Sequence, residues 1–113
     1  MIGGNVTAAL QTCEAVKNEI GEAVKTWETA EEINGFLDLS TGDSKHVSYD
    51  AKIQESTHVF VSDWKPLDAG ITAENSRMVI DGKTYEVMLI DDPMGLHEQL
   101  EIYLQYRGGQ SAG

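Results

Sequence analysis

A chain of 113 residues, 41% hydrophobic and 24% charged, is long enough for one domain with its own core, and residues 1–113 read as a single domain. Eight Lys and Arg against nineteen Asp and Glu leave a net charge of −11, with no basic cluster to neutralise phosphates, which argues against a module that grips nucleic acid but not against a surface past which DNA slides. The single Cys13 cannot form an intrachain disulfide, no apolar run approaches the ~20 residues of a membrane span, and the opening MIGGNVTAAL lacks the basic region of a signal peptide, so a soluble protein made in the cytoplasm is expected.

The first thirty residues admit two readings. Val16, Ile20, Val24 and Trp27 follow helical spacing, with Ala, Glu and Lys around them. Gly21 interrupts that pattern, and two short pieces alternate as strands do. In NVTAALQTC these are Val6, Ala8 and Leu10; in EAVKTWET, Val24, Thr26 and Glu28 oppose Ala23, Lys25, Trp27 and Thr29. The alternative to a helix is therefore two strands with a turn at residues 14–21.

Strand character is clearer further on. EINGFLDLS (32–40) puts Ile33, Gly35, Leu37 and Leu39 on one side and Phe36 on the other. The stretch STGDSKHVSYDA (40–51) is long and polar, and a loop of that length in a compact domain is usually functional or disordered. KIQESTHVFVSDW (52–64) closes on β-branched and aromatic residues and predicts a strand. DWKPLDAGITAENS (63–76) is a second loop, with one helical turn at 72–76.

RMVIDGKTYEVMLIDDP (77–93) is the strongest local signal. Asp81-Gly82 predicts a type I′ turn, which sets Ile80 opposite Lys83, Val79 opposite Thr84, Met78 opposite Tyr85 and Arg77 opposite Glu86. Met78, Ile80, Tyr85, Val87 and Leu89 then share one face. The second strand stops at Asp91-Asp92-Pro93. QLEIYLQYR (99–107) alternates Leu100, Ile102, Leu104 and Tyr106 inward with Glu101, Tyr103, Gln105 and Arg107 outward, and 108–113 form a frayed, flexible tail. Counting the hairpin, these are five strands joined by turns rich in Gly, Asp, Asn and Ser, which predicts an all-β fold: a small antiparallel barrel or sandwich with long loops.

No catalytic, metal or cofactor constellation emerges. His46, His58 and His97 lie far apart and lack the spacing of a zinc site; Cys13 has no adjacent base. Asp91 and Asp92 are neighbours on an extended chain, so they point apart and end a strand. The mixed acceptors of DSKHVSYD lack the pattern of a calcium loop, and the GGQ at 108–110 has no peptide-release domain around it. A patterned domain without chemistry of its own is expected to act by contact, not as an enzyme.

The succession GEAVKTW, INGFLDLSTGDSKHVSYDAKIQESTHVFVSDWKPLD, NSRMVIDGKTYEVMLIDDP and LEIYLQYRGGQ resembles the head-closure proteins of tailed bacteriophages and prophages of Gram-positive bacteria, also called head–tail connectors or stoppers. The resemblance covers residues 21–110 and rests on the order and spacing of these pieces together. It implies a small β-barrel or sandwich, and hence strands in the first third of the chain. It further implies a structural virion protein that forms a ring, dodecameric in the family, beneath the portal and its adaptor. The ring closes the capsid exit after packaging and offers the tail a platform. Portal, adaptor and tail proteins are the implied partners, with packaged DNA passing by without specific binding, no membrane and no cofactor. The implied channel loop is 40–52, centred on Asp43, Ser44, Lys45, His46, Val47, Ser48 and Tyr49, while Asp81 and Gly82 are structural. The related readings are a tail-completion or adaptor subunit of the same neck, or an acidic β-barrel binding module.

Overall fold

The computed structural model of the chain describes residues 4–39 and 56–106, apart from the side chains of residues 15 and 16. Six strands run β1 (Val6–Lys17), β2 (Ala23–Leu39), β3 (His58–Asp63), β4 (Ser76–Ile80), β5 (Lys83–Asp91) and β6 (Gln99–Gln105). They close into a barrel in the order β1-β2-β3-β6-β5-β4, every neighbouring pair antiparallel. Closure leaves each strand of the ring with a partner on both sides, which a sandwich does not. Among the described residues there is no α-helix, and a short 3-10 turn at Ala73–Asn75 is the one helical turn expected within 72–76.

The first third of the chain is a hairpin. Val16 pairs with Val24 and Cys13 with Trp27, so the helix-like spacing of Val16, Ile20 and Val24 is symmetry about a hairpin tip at Ile20. The turn is shorter and later than the expected 14–21: Lys17 still pairs with Ala23, and the Asn18 side chain accepts from the backbone N–H groups of Ile20 (3.1 Å) and Glu22 (3.0 Å). The strands expected separately at 22–29 and 32–40 are one, β2, bent by a bulge where Leu10 faces Glu31 but Gln11 faces Thr29. The extra residue, Ala30, explains why alternation changed phase there and read as a break.

The second hairpin has the expected register, Ile80↔Lys83 through Arg77↔Glu86, and both turn residues have positive φ, 51° at Asp81 and 76° at Gly82. One side chain departs from its expected face. β5 carries a second bulge, with Val87 opposite Leu104 but Leu89 opposite Tyr103, so Leu89 leaves the inner face and Ile90 takes its place against the core.

The core is the inner face of the barrel: Ala8 and Leu10 from β1, Ile33 from β2, Phe60 from β3, Met78 and Ile80 from β4, Tyr85 and Val87 from β5, Ile102 and Leu104 from β6. Each such large side chain removed from water contributes about 1.5–3 kcal/mol. Gly35 makes room for the largest of them, since a Cβ there would sit 2.6 Å from the Phe60 ring and 2.5 Å from the Val61 carbonyl oxygen. Tyr103, expected outward, is buried as well; its hydroxyl donates to Glu101 Oε1 at 2.9 Å.

The register sorts the connections between two ends of the barrel. Leu39 lies opposite His58 and His58 opposite Leu104, so β2 ends and β3 begins at the end of the barrel that also carries the Asp81-Gly82 turn. At the other end lie the tip of the β1–β2 hairpin, the connection between β3 and β4, and the turn after β5.

Candidate contact surfaces

The expected channel residues, Asp43, Ser44, Lys45, His46, Val47, Ser48 and Tyr49, lie outside the described residues. The described titratable groups do not converge on a catalytic site, and among the described residues no three of His, Cys, Asp and Glu stand together as metal ligands. Cys13 is half-buried on the first hairpin.

His58 and His97 belong to opposite ends of the barrel. His58 meets the rings of Tyr85 and Tyr106 edge-on, with centroids 5.2 and 6.4 Å away, and Thr57 Oγ1 lies 2.8 Å from its Nδ1. Burial, and then the charge of Lys83, holds its pKa below the ordinary value, which disfavours the charged imidazolium. The Tyr103 hydroxyl is shifted upward by burial first, then by its hydrogen bond to Glu101 and the charges of Glu101 and Asp91. Both are packing groups.

Asp91 ends β5 opposite Glu101, and Asp92 organises the turn that follows. Its Oδ1 accepts from the His97 backbone N–H at 2.9 Å, its carbonyl accepts from Gly95 N–H at 2.8 Å, and its Oδ2 stands 3.2 Å from His97 Nε2. The His97 ring stacks on Trp64, 4.3 Å between centroids. Met94 and His97 adopt φ of 58° and 56°, a conformation that costs a non-glycine residue on the order of 1–3 kcal/mol and is held only where the surroundings enforce it. The outcome is a fixed knob that presents Met94, 90% exposed, and Leu96, 59% exposed. Beside it a cleft of about 460 Å³ is lined by Trp64, Leu67, Ile71, Leu89 and Leu100, with Asp91 and Asp92 on its rim. Sequence reading missed this surface because Leu89 reaches it only through the β5 bulge.

Among the described residues the first hairpin protrudes from the barrel. β1 pairs with β4 only as far as Thr12↔Ser76, and β2 meets β3 only from Phe36 onward. From Cys13 to Lys17 and from Ala23 to Glu28 the two strands hold only each other among the described residues, and they continue past the barrel as an arm. At ~3.4 Å per residue this arm reaches roughly 17 Å beyond the ring, in a molecule 49 × 27 × 27 Å overall. Its described side chains are exposed except at the base, where the Arg77 guanidinium lies 4.3 Å over the Trp27 ring and donates through Nε to Gln11 Oε1 at 2.8 Å.

A small all-β chain with an acidic surface, two unlike ends and a projecting arm is built for contact. Over residues 5–105 the sequence matches the family described as phage head completion protein. The chain belongs to that family. Membership gives it a structural role in phage-head assembly, contacts with other phage head and tail proteins, and a place in the virion. No curated protein matches the sequence. Among solved structures, the solution structure of protein SF1141 from Shigella flexneri 2a is similar over 96% of each chain, with a TM-score of 0.72 and 16% identity. That likeness is one of fold.

Proposed function

We propose that this head completion protein closes the capsid exit beneath the portal and its adaptor after DNA packaging, assembled there as a ring, and that it gives the tail its docking platform. The observation that carries the reading is the two-ended barrel. β2 ends and β3 begins at one end, beside the Asp81-Gly82 turn, while the arm, the Met94–Leu96 knob and the cleft occupy the other. A part inserted between a head and a tail has two different partners, and a barrel with unlike ends offers each its own surface. The net charge of −11 suits a passage that DNA traverses without being held, because an acidic wall repels phosphates.

Segment 40–52, with Asp43 to Tyr49 at its centre, is the part assigned to the channel by resemblance to head-closure proteins. Replacing residues 42–48 with two glycines in the intact chain tests both halves of the proposal. DNA-filled heads completed with the shortened chain are expected to leak DNA before tails attach, while the purified variant keeps its melting temperature, because loop length enters stability only logarithmically. Heads that hold their DNA as well as the parent would remove the segment from the channel. Heads that hold DNA without the chain at all would overturn closure itself.

A further inference from the structure

The arm has two faces of opposite character. Side chains alternate between the faces of a strand, and cross-strand partners share a face. Cys13 pairs with Trp27, and Lys17 and Lys25 are in phase with them, so these four lie on one face, to which Arg77 adds its guanidinium over Trp27. Thr12 pairs with Glu28 and Glu14 with Thr26, which puts both glutamates on the opposite face together with the half-exposed Val24. In a chain with so few cations this segregation is informative. Of the described basic residues only Lys65 and Lys83 stand elsewhere, and Lys65 is held by Glu31 at 2.7 Å.

We infer that the arm is the element through which copies of this chain assemble, the basic Lys17–Lys25–Trp27 face of one arm stacking on the acidic Glu14–Glu28 face of the next. This deepens the ring in the closure reading and rests on it. The occupant follows from charge. Stacking two basic faces would set Lys17 and Lys25 against their own copies, and stacking two acidic faces would do the same with Glu14 and Glu28, so neither symmetric dimer is favoured. Basic on acidic is complementary. It uses two different patches, and such a heterologous contact repeats from copy to copy until a ring closes. Both patches are exposed and polar, so one contact is weak and screened by salt. Copies held side by side on a common partner would meet at high effective concentration, which is where many weak contacts suffice.

Cys13 supplies the test, being the only cysteine and lying on the basic face. Thr26→Cys adds a thiol on the acidic face, and stacked sheets lie about 10 Å apart, within reach of a bismaleimide of that span. The full chain would be cross-linked on DNA-filled heads and, separately, in concentrated low-salt solution. The expected result is a ladder of dimers, trimers and higher species from T26C and none from the parent, whose Cys13 meets no thiol in this arrangement. A second pair of variants reads the charges. K17E/K25E has two acidic faces and E14K/E28K two basic ones; in the T26C background each alone should lose at least about tenfold of the ladder, and an equimolar mixture should restore it. Cross-linking of the parent through Cys13 alone, a ladder indifferent to the charge swaps, or a mixture that restores nothing would overturn the inference. Sealed heads without a T26C ladder would sink the stacking and leave closure standing. A ladder in solution from a chain that fails to seal heads would sink closure and keep the stacking.

Discussion

β1 and β2 make one continuous ladder, yet its two halves live in different surroundings. In the barrel half, Ala8 and Leu10 are fully buried and Ile33 is 4% exposed, and both strands have further partners. In the arm half, the same two strands run on past the core, and the described side chains beyond Cys13 and Trp27 are exposed. An isolated two-stranded hairpin is marginal in water, so the arm borrows its order from the barrel that continues it. The barrel half is specified by packing. The arm half is left free to be specified by what it touches, and its charges are sorted by face accordingly.

The sharpest way to break this contrast is to cut equivalent apolar contacts from the two halves. Phe60→Ala removes the largest fully buried side chain of the ring and is expected to cost about 3–5 kcal/mol, read as a lower midpoint in urea with little change in slope. Ile20→Ala at the arm tip, where the side chain is 79% exposed, should stay within about 0.5 kcal/mol of the parent. Equal losses would mean that the arm is part of the cooperative core.

Two glycines sharpen the barrel side. Gly35→Ala puts a methyl where the Phe60 ring and the Val61 carbonyl already sit and should cost about 1–3 kcal/mol by overpacking. Gly82→Val should cost about as much, ~1–3 kcal/mol, for a different reason: the space around Gly82 is open, but its φ of 76° is strained for a β-branched residue. Gly82→Asn, which tolerates that conformation, should recover most of the loss. An unchanged melt for Gly82→Val would refute the type I′ turn as a stability element.

How far these features were legible in the sequence depends on where their causes lie. The Asp81-Gly82 hairpin was readable to the residue, because its register is set by two adjacent amino acids. The all-β class followed from alternation in 32–40, 77–90 and 99–106. What escaped has non-local causes. The bulges at Ala30 and beyond Val87 show only in the pairing register, so β2 read as two strands and Leu89 was put on the wrong face. Tyr103 is buried on a face that alternation marks as outer. The arm was hidden because a hairpin symmetric about Ile20 spaces Val16, Ile20 and Val24 as a helix does. Its sorted charges became visible only once the register showed which residues share a face.

A smaller effect is expected at the end of the barrel opposite the arm. The folded chain holds the pKa of His58 below its ordinary value, through burial and then Lys83. Well above about pH 6.5 the imidazole is uncharged in both states and contributes nothing. As pH falls below about 6.5 the unfolded chain takes up a proton that the folded chain resists, so stability drops with falling pH. His58→Gln should flatten the slope of stability between about pH 6.5 and 5, before carboxylates dominate. An equal slope in the variant would assign the loss to other groups.

Even deletion of the arm is expected to change stability little. Cys13 and Trp27 face each other, so replacing residues 14–26 with Asn-Gly closes the hairpin at its base with a two-residue type I′ turn. The cut removes the exposed ladder and the tip but leaves Trp27 under Arg77 and the Arg77 bond to Gln11. Nothing in the buried core is touched. Shortening the connection lowers its closure entropy slightly, which offsets part of the lost ladder, and the net change should stay below about 1 kcal/mol. The armless chain should therefore melt as the parent does and remain monomeric under conditions in which the T26C chain forms its ladder. A steep fall in melting temperature would show that order flows from the arm into the barrel, the reverse of the contrast drawn above. An armless chain that still assembles on heads would leave that contrast intact and move the contact between copies to the cleft and the Met94–Leu96 knob.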